Sequence, residues 1–279
     1  MANNLAQRIT VAVIAIPAAV GLIWIGGWPL AVGLAALGVL GANEVYDLAR
    51  RQGIDPLDRT GWVLAAAIPL LGYGGGVPSP YAAAGGVMAV LVIAMARRDP
   101  TQRPLPAVAV TLFGAAYASG LLAFLLAIRH GVGARGNTLA YLWLTLLPLA
   151  ITWICDTAAM WAGITFGGPK LAPVLSPKKT WAGGIGGLAG AVVAALLLGE
   201  LILNRQGWHF AAWQLVTVGV VVGIVGQVGD VAESLIKREA GVKDSSNLIP
   251  GHGGVLDRLD SLYFVIPASA GLFKLFGVI

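Results

Sequence analysis

Three groups of polar residues interrupt a chain that is 57% hydrophobic and only 11% charged. The longest runs through VKDSSNLIPGHGGVLDRLDS, residues 242–261, where Lys243, Asp244, His252, Asp257, Arg258 and Asp260 crowd together. Just ahead of it, in GQVGDVAESLIKR, the residues Gln227, Asp230, Ser234 and Lys237 recur at intervals of 3, 4 and 3. That spacing predicts a polar stripe on one helix face, with Glu233 beside it and Val231, Ala232, Leu235 and Ile236 turned elsewhere. The second group is SPKKTWAGGIGG, 176–187. Ser176-Pro177 reads as a turn. Lys178 and Lys179 follow where an anionic group could arrive, and Thr180 is placed to cap the next helix. The third group is Thr152, Asp156 and Thr157, with Asp156 the only acid between Leu139 and Phe166. A carboxylate inside so apolar a run is costly unless paired or hydrated, which makes Asp156 a functional candidate, with a structural partner role as the alternative.

Carboxylates beside lysines and arginines suit a metal–triphosphate complex: acids hold a hard cation and bases hold phosphate oxygens. This is the electrostatic arrangement of phosphoryl or nucleotidyl transfer. No His-rich or Cys-rich set argues for zinc, and no GxxxxGK[ST] loop occurs, so a nucleotide would be held by another device. Cys155 is the single cysteine, which excludes an intrachain disulfide and reads as a small buried residue. His130 and His209 stand alone in short connections and read as ordinary loop residues. A net charge of +5 is no nucleic-acid footprint in such a chain, because excess Lys and Arg record membrane orientation.

The elements that must position these groups are helices in a bilayer. Mean hydropathy is +0.81, and apolar runs long enough to span recur from end to end. Without water to satisfy the backbone, and without strict alternation, helices are favoured over a barrel. Nine spans are expected, at roughly 9–26, 29–48, 61–77, 81–96, 106–128, 139–165, 182–203, 213–233 and 261–278. The first is too long, and lacks the small-residue site, for a cleavable signal peptide. With the N-terminus inside, Arg8, Arg50, Arg51, Arg59, Arg97, Arg98, Arg103, Lys170, Lys178, Lys179, Lys237, Arg238, Lys243 and Arg258 all fall on the cytoplasmic side. Only Arg129, Arg135 and Arg205 fall outside, so the N-terminus is expected in and the C-terminus out. Trp24, Trp28, Trp62, Trp143, Trp181, Trp208 and Trp213 sit near span ends and read as interfacial anchors. Gly183, Gly184, Gly186 and Gly187 read as close helix packing. The expected fold class is therefore an all-α integral membrane protein of about nine transmembrane helices, with a polar cavity open to the cytoplasmic side. Residues 1–105 would form N-terminal transmembrane helices and 106–279 the catalytic region.

The stretch SLIKREAGVKDSSNLIPGHGGVLDRLD, 234–260, resembles the diagnostic motif of phosphatidate cytidylyltransferases (CDP-diacylglycerol synthases). The matching positions are Ser234, Lys237, Arg238, Lys243, Asp244, Ser246, Pro250, His252, Gly253, Gly254, Asp257, Arg258 and Asp260. The SPKKT and Asp156 segments look like the same family, in the same order. One position departs: the family pattern has Glu two residues after SPKKT, where Ala182 stands. The resemblance implies transfer of CMP from CTP to phosphatidic acid, giving CDP-diacylglycerol and pyrophosphate for phospholipid biosynthesis. It implies Mg2+, leaving open a monovalent cation such as K+. Asp230 and Asp257 would be the leading metal ligands, with Asp260 and Asp156 behind them. Lys237, Arg238 and Lys243 would act in catalysis. Ser176, Lys178, Lys179, Thr180, Ser234, His252, Gly253, Gly254 and Arg258 would bind substrate, with an ordinary loop role as the alternative for His252. The partners implied are CTP, phosphatidic acid and the bilayer, with no nucleic acid, and a homodimer is allowed. The place implied is the inner (cytoplasmic) membrane, active site facing the cytoplasm. Two rivals remain at this point: a cation-coupled transporter using Asp156 and Asp230, and another CTP-using membrane transferase, such as one acting on dolichol.

Overall fold

The computed structural model describes residues 2–73, 80–131, 133 and 136–279; the side chains of residues 2–10 and 12 and all of Arg135 lie outside what it describes. The expected span 61–77 therefore runs past the described residues at its end. In chain order the helices are α1 (Ala2–Ile25), α2 (Gly27–Arg51), α3 (Asp58–Gly72), α4 (Pro80–Arg97), α5 (Pro104–Ala115) and α6 (Leu121–Arg129), then α7 (Thr138–Phe166), α8 (Trp181–Leu198), α9 (Ala212–Glu239), α10 (Leu256–Leu259) and α11 (Leu262–Leu275). A π-helical turn, Ala116–Gly120, joins α5 to α6, and a second, Gly199–Leu203, extends α8. A helix thus answers each expected span. Among the described residues six helical stretches are long and apolar enough to cross a membrane: Gly27–Arg51, Pro80–Arg97, Pro104–Arg129, Thr138–Phe166, Trp181–Gln206 and Ala212–Glu239. The chain is a multi-pass, predominantly helical membrane protein. Within the described residues α3 has 15 residues and α11 has 14, about 22 and 21 Å at 1.5 Å per residue.

One element departs from an all-helical chain. Strands β1 (Lys170–Ala172) and β2 (Ser176–Thr180) pair antiparallel, with Lys170 opposite Thr180 and Ala172 opposite Ser176. The turn lies at 173–175, so Ser176-Pro177 does not form it, contrary to the sequence expectation. Proline's fixed φ and missing N–H are tolerated in a two-stranded ribbon, where every strand is an edge.

By contact, the chain forms two compact units: Met1–Ala127 with Ile236–Leu259, and Ile128–Leu235 with Asp260–Ile279. The first unit is centred on α2, whose Leu30, Ala31, Leu34, Ala42, Val45, Tyr46 and Leu48 are buried. The Tyr46 hydroxyl donates to the Thr111 carbonyl at 2.8 Å, and Thr111 Oγ1 accepts from Leu57 N at 2.9 Å. Leu57, Val90, Ala94 and Val108 form an apolar cluster beside it.

In the second unit, α7 and α8 pack along small residues. A Cβ added at Gly183 would lie 2.9 Å from the Ala159 carbonyl oxygen, and one at Gly187 would lie 2.9 Å from Ala159 Cβ. Lipid tails give helices no hydrophobic reason to associate, so close backbone approach and dispersion do the work. Helix α9 meets α8 in the same way, with Gly219 against Ala191 and Val192. Exposed apolar side chains cover both units, Met95 and Ile164 among them, as lipid-facing surfaces require. Trp24, Trp28, Trp181 and Trp213 are exposed, in keeping with anchoring. Trp208 is not free: its indole N–H donates to the Ala140 carbonyl at 3.1 Å and its ring meets Tyr141 edge-on.

Candidate active site

The second unit holds a cavity of about 520 Å³ at the C-terminal end of α7 and the N-terminal end of α8, beside α9. Its lining brings together Asp156 from α7, Lys170 and Lys178–Thr180 from the hairpin, and Gln227 and Asp230 from α9. The local sequence explains how each arrives. Helix α7 ends at Gly167 and Gly168, both at positive φ, where a side chain would be strained. The chain turns there into β1, and β2 returns it to α8. Thr180 caps α8 as expected, its Oγ1 accepting from Gly183 N at 3.1 Å. The cap leaves Lys178 and Lys179 on the strand entering the helix start. The first turn of α8 carries no acid, so Ala182 places no carboxylate against these lysines.

Lys179 Nζ pairs with Asp230 Oδ2 at 2.7 Å. Gln227 Nε2 donates to the Gly184 and Gly223 carbonyls at 3.1 and 2.9 Å, tying α9 to α8. A Cβ at Gly184 would lie 3.1 Å from Gln227 Oε1, so this glycine serves the site more than the helix seam. Lys170 and Lys178 are exposed and have no acidic partner among the described residues. Met160, Ile164 and Leu171 supply an apolar side to the same cavity. The pocket can therefore take a phosphate with apolar groups attached. Asp260 lies outside the cavity lining, its Oδ1 accepting from Ser261 N at 2.6 Å. Ser234 is buried, at 8% exposure.

Magnesium takes one or two carboxylates and fills its remaining positions with water and substrate phosphates. Asp156 and Asp230 in one cavity match that donor set. Among the described residues no group of three or more His, Cys, Asp or Glu gathers to hold a metal by protein ligands alone.

In the first unit, α9 ends in a Schellman turn: Val242 N donates to the Lys237 carbonyl and Gly241 N to that of Arg238, both at 3.0 Å, with Gly241 at φ 70°. Arg238 Nη1 donates to the Val242 carbonyl at 2.9 Å, so it secures this turn. The loop from 240 to 255 follows, with one bridge between Ile249 and Gly253 as its only pairing of strands. Two buried carboxylates hold it. Asp257 Oδ1 accepts from Lys237 Nζ at 2.6 Å, and Asp257 Oδ2 accepts from Ser245 N, Ser245 Oγ and Gly254 N, each at 2.8 Å. Burial alone would raise the Asp257 carboxyl, but Lys237, Gly254 and Ser245 together hold it below the usual carboxylate range. Gly253, at φ 81°, has no room for a Cβ, which would lie 2.6 Å from Asp257 Oδ2.

The second carboxylate is Glu44 of α2, 3% exposed. Glu44 Oε1 accepts from Ser246 Oγ at 2.7 Å and Val255 N at 2.9 Å, while Oε2 accepts from Ser245 Oγ at 2.8 Å and Leu256 N at 2.9 Å. The sequence reading passed over Glu44, Ser245 and the placing of Lys170 in the cavity. A signal for Glu44 existed: no other charged residue occurs from Gly27 to Tyr46, the same reasoning that singled out Asp156. The backbone N–H of His252 donates to the Ile249 carbonyl at 2.9 Å. Its buried Nδ1 has no hydrogen-bond partner. Lys243 and Arg258 are exposed, with no acidic partner among the described residues.

These features define a multi-pass membrane protein equipped to hold an anionic, phosphate-bearing ligand. The chain belongs to the cytidylyltransferase family, which it matches over residues 6–276. It is 35% identical over 280 residues to the phosphatidate cytidylyltransferase of Brucella suis, covering 99% of this chain and 94% of that one. It is 32% identical over 281 residues to the phosphatidate cytidylyltransferase of a Synechocystis species, covering 94% of each. A segment of 131 residues, 45% of this chain and 44% of its relative, is 45% identical to the Haemophilus influenzae phosphatidate cytidylyltransferase.

Proposed function

We propose that this chain is a CTP:phosphatidate cytidylyltransferase of phospholipid biosynthesis. In the reaction an ionised phosphate oxygen of phosphatidic acid attacks the α-phosphorus of CTP. A new P–O–P linkage forms, the bond to the β-phosphate breaks, and pyrophosphate leaves with CDP-diacylglycerol as the other product. The nucleophile is already ionised at neutral pH, so no strong general base is needed. The task is to bring two polyanions together and to stabilise charge where it develops.

The observation that carries this reading, beside family membership, is the cavity in which Asp156 and Asp230 meet Lys170, Lys178 and Lys179. Lys178 and Lys170 have charge to give to phosphate oxygens. Lys179 is held by Asp230 and orients that carboxylate. Asp156 and Asp230 are the proposed magnesium ligands in this unit, with Asp260 behind them. Magnesium, when bound, would neutralise triphosphate charge and favour departure of pyrophosphate. Lys243 and Arg258, exposed on the braced loop, are proposed phosphate contacts, with Ser176, Ser234 and His252 as further substrate contacts. Asp257 holds the loop with Lys237 and is a further proposed metal ligand. The glycine turn at Gly253 allows close backbone approach, while the Gly254 N–H is taken by Asp257.

The cation distribution supports nine spans with the N-terminus and the site on the cytoplasmic side of the inner membrane. Nucleic acid has no part in this reading. The testing experiment is turnover in lipid vesicles with magnesium and CTP. Asp257→Asn and Asp230→Asn are expected to abolish CDP-diacylglycerol formation in protein that still inserts and melts cooperatively. Near-normal turnover by either variant removes that residue from the site.

A further inference from the structure

Resting on the reading above, we propose that Glu44 is a positioning residue for the transfer, acting through the 245–257 loop from a helix outside the diagnostic motif. Its carboxylate accepts from Ser245 and Ser246 at the start of the loop and from Val255 and Leu256 at its end. One side chain thus closes the loop from both sides. It also reaches Asp257: Ser245 Oγ stands 2.8 Å from Glu44 Oε2 and 2.8 Å from Asp257 Oδ2, one hydroxyl hydrogen serving two carboxylates. The fit leaves no slack at Gly254, where a Cβ would lie 2.1 Å from Ser245 Oγ and 2.3 and 2.5 Å from Glu44 Oε2 and Oε1.

A loop with one internal bridge cannot hold groups to the tolerance that transfer requires. Helix α2 supplies what the loop lacks, a fixed acceptor on a buried, regular element. Only a carboxylate serves all four donors. In Glu44→Gln an amide NH2 would face the Val255 or the Leu256 N–H, donor against donor. Supporting groups of this kind change rates by about 10–100-fold when removed. Because Glu44 bonds Ser245, Ser246, Val255 and Leu256 and not Lys243 or Arg258, the proposed phosphate contacts at the two ends of the loop, its loss is read chiefly in kcat, with CTP binding little changed.

The test compares wild type, Glu44→Gln, Gly254→Ala, their double variant and Asp257→Asn in vesicles containing phosphatidate. Rates are taken per mole of protein that binds a non-hydrolysable CTP analogue, which removes any unfolded fraction. Glu44→Gln is expected to lower kcat by about 10–100-fold with the apparent KM for CTP within about threefold of wild type. Gly254→Ala, whose Cβ would press on both Ser245 Oγ and the Glu44 carboxylate, is expected to lower kcat likewise, and the double variant to lose less than the product of the singles, because both disturb the one Glu44–Ser245 brace. Wild-type kcat in Glu44→Gln overturns the proposal, as does a double variant whose loss is the product of the singles. If Glu44→Gln does not fold, Gly254→Ala with Ser246→Ala, scored by the same non-additivity, decides it. Asp257→Asn separates the two levels: an active Asp257→Asn defeats Asp257's part in the site, whereas a dead Asp257→Asn beside a fully active Glu44→Gln defeats only the role of Glu44.

Discussion

Replacing Gly187 by alanine tests whether the α7–α8 seam sets the geometry of the cavity. The added Cβ would lie 2.9 Å from Ala159 Cβ and 3.1 Å from the Cys155 carbonyl oxygen. Carbon atoms in ordinary contact are about 3.5–4.0 Å apart, so the helices must separate by roughly 0.6–1.1 Å at this level. Ala159 lines the cavity and stands one turn from Asp156. A displacement there carries Asp156 away from the lysines of β2. Overpacking of this kind costs about 1–3 kcal/mol, and a shift near 1 Å at reacting groups can cost about 100-fold in rate. The expected result is a lower thermal midpoint and a kcat reduced by roughly 10–100-fold, measured as pyrophosphate release in vesicles. Gly85→Ala is the matched control, since nothing lies within 4 Å of its added Cβ; it should leave rate unchanged and stability equal or slightly higher. Wild-type midpoint and rate in Gly187→Ala would refute the reasoning.

Further outcomes follow from the site. Lys178→Ala should raise the apparent KM for an anionic substrate about tenfold or more, and unchanged kinetics would reduce Lys178 to an orientation signal. Lys179→Met should lower kcat by about 100-fold by freeing Asp230, read in the same pyrophosphate assay. Thr180→Ala removes the α8 cap and should cost about 1 kcal/mol in a detergent unfolding titration. The Asp257 carboxyl is held below its usual range, so its bracing is complete above the unfolded-state value of about 3.9. It is lost as the pH falls through the lower folded-state value. Hydrogen exchange at Ser245 and Gly254, corrected for intrinsic rate, should therefore rise only on acidification below pH 4; unchanged protection there would contradict the assignment.

Apolar run length alone located the helices, because a bilayer forces the backbone to satisfy itself within each segment. The 3, 4, 3 spacing from Gln227 to Lys237 held since α9 continues unbroken to Glu239. The cap at Thr180 and the glycine seam were legible because both depend on local residue type. The hairpin was not: three residues in β1 and five in β2 give too little alternation to read, and Pro177 mimics a turn signal. Lys237 with Asp257 could be matched by motif but not paired by spacing, since a loop separates them. Glu44 is 201 residues from Ser245. No local pattern links them, and only the fold reveals that an acid in an apolar helix finds its donors in that loop.

The most direct test of the central claim is a product balance. Purified protein in vesicles is given α-labelled CTP and magnesium, with and without phosphatidic acid. The account predicts labelled CDP-diacylglycerol and unlabelled pyrophosphate in equal amounts, formed only when phosphatidic acid is present, with dolichol inert in its place. CTP breakdown without lipid, transfer to dolichol, or no transfer to phosphatidic acid would contradict it.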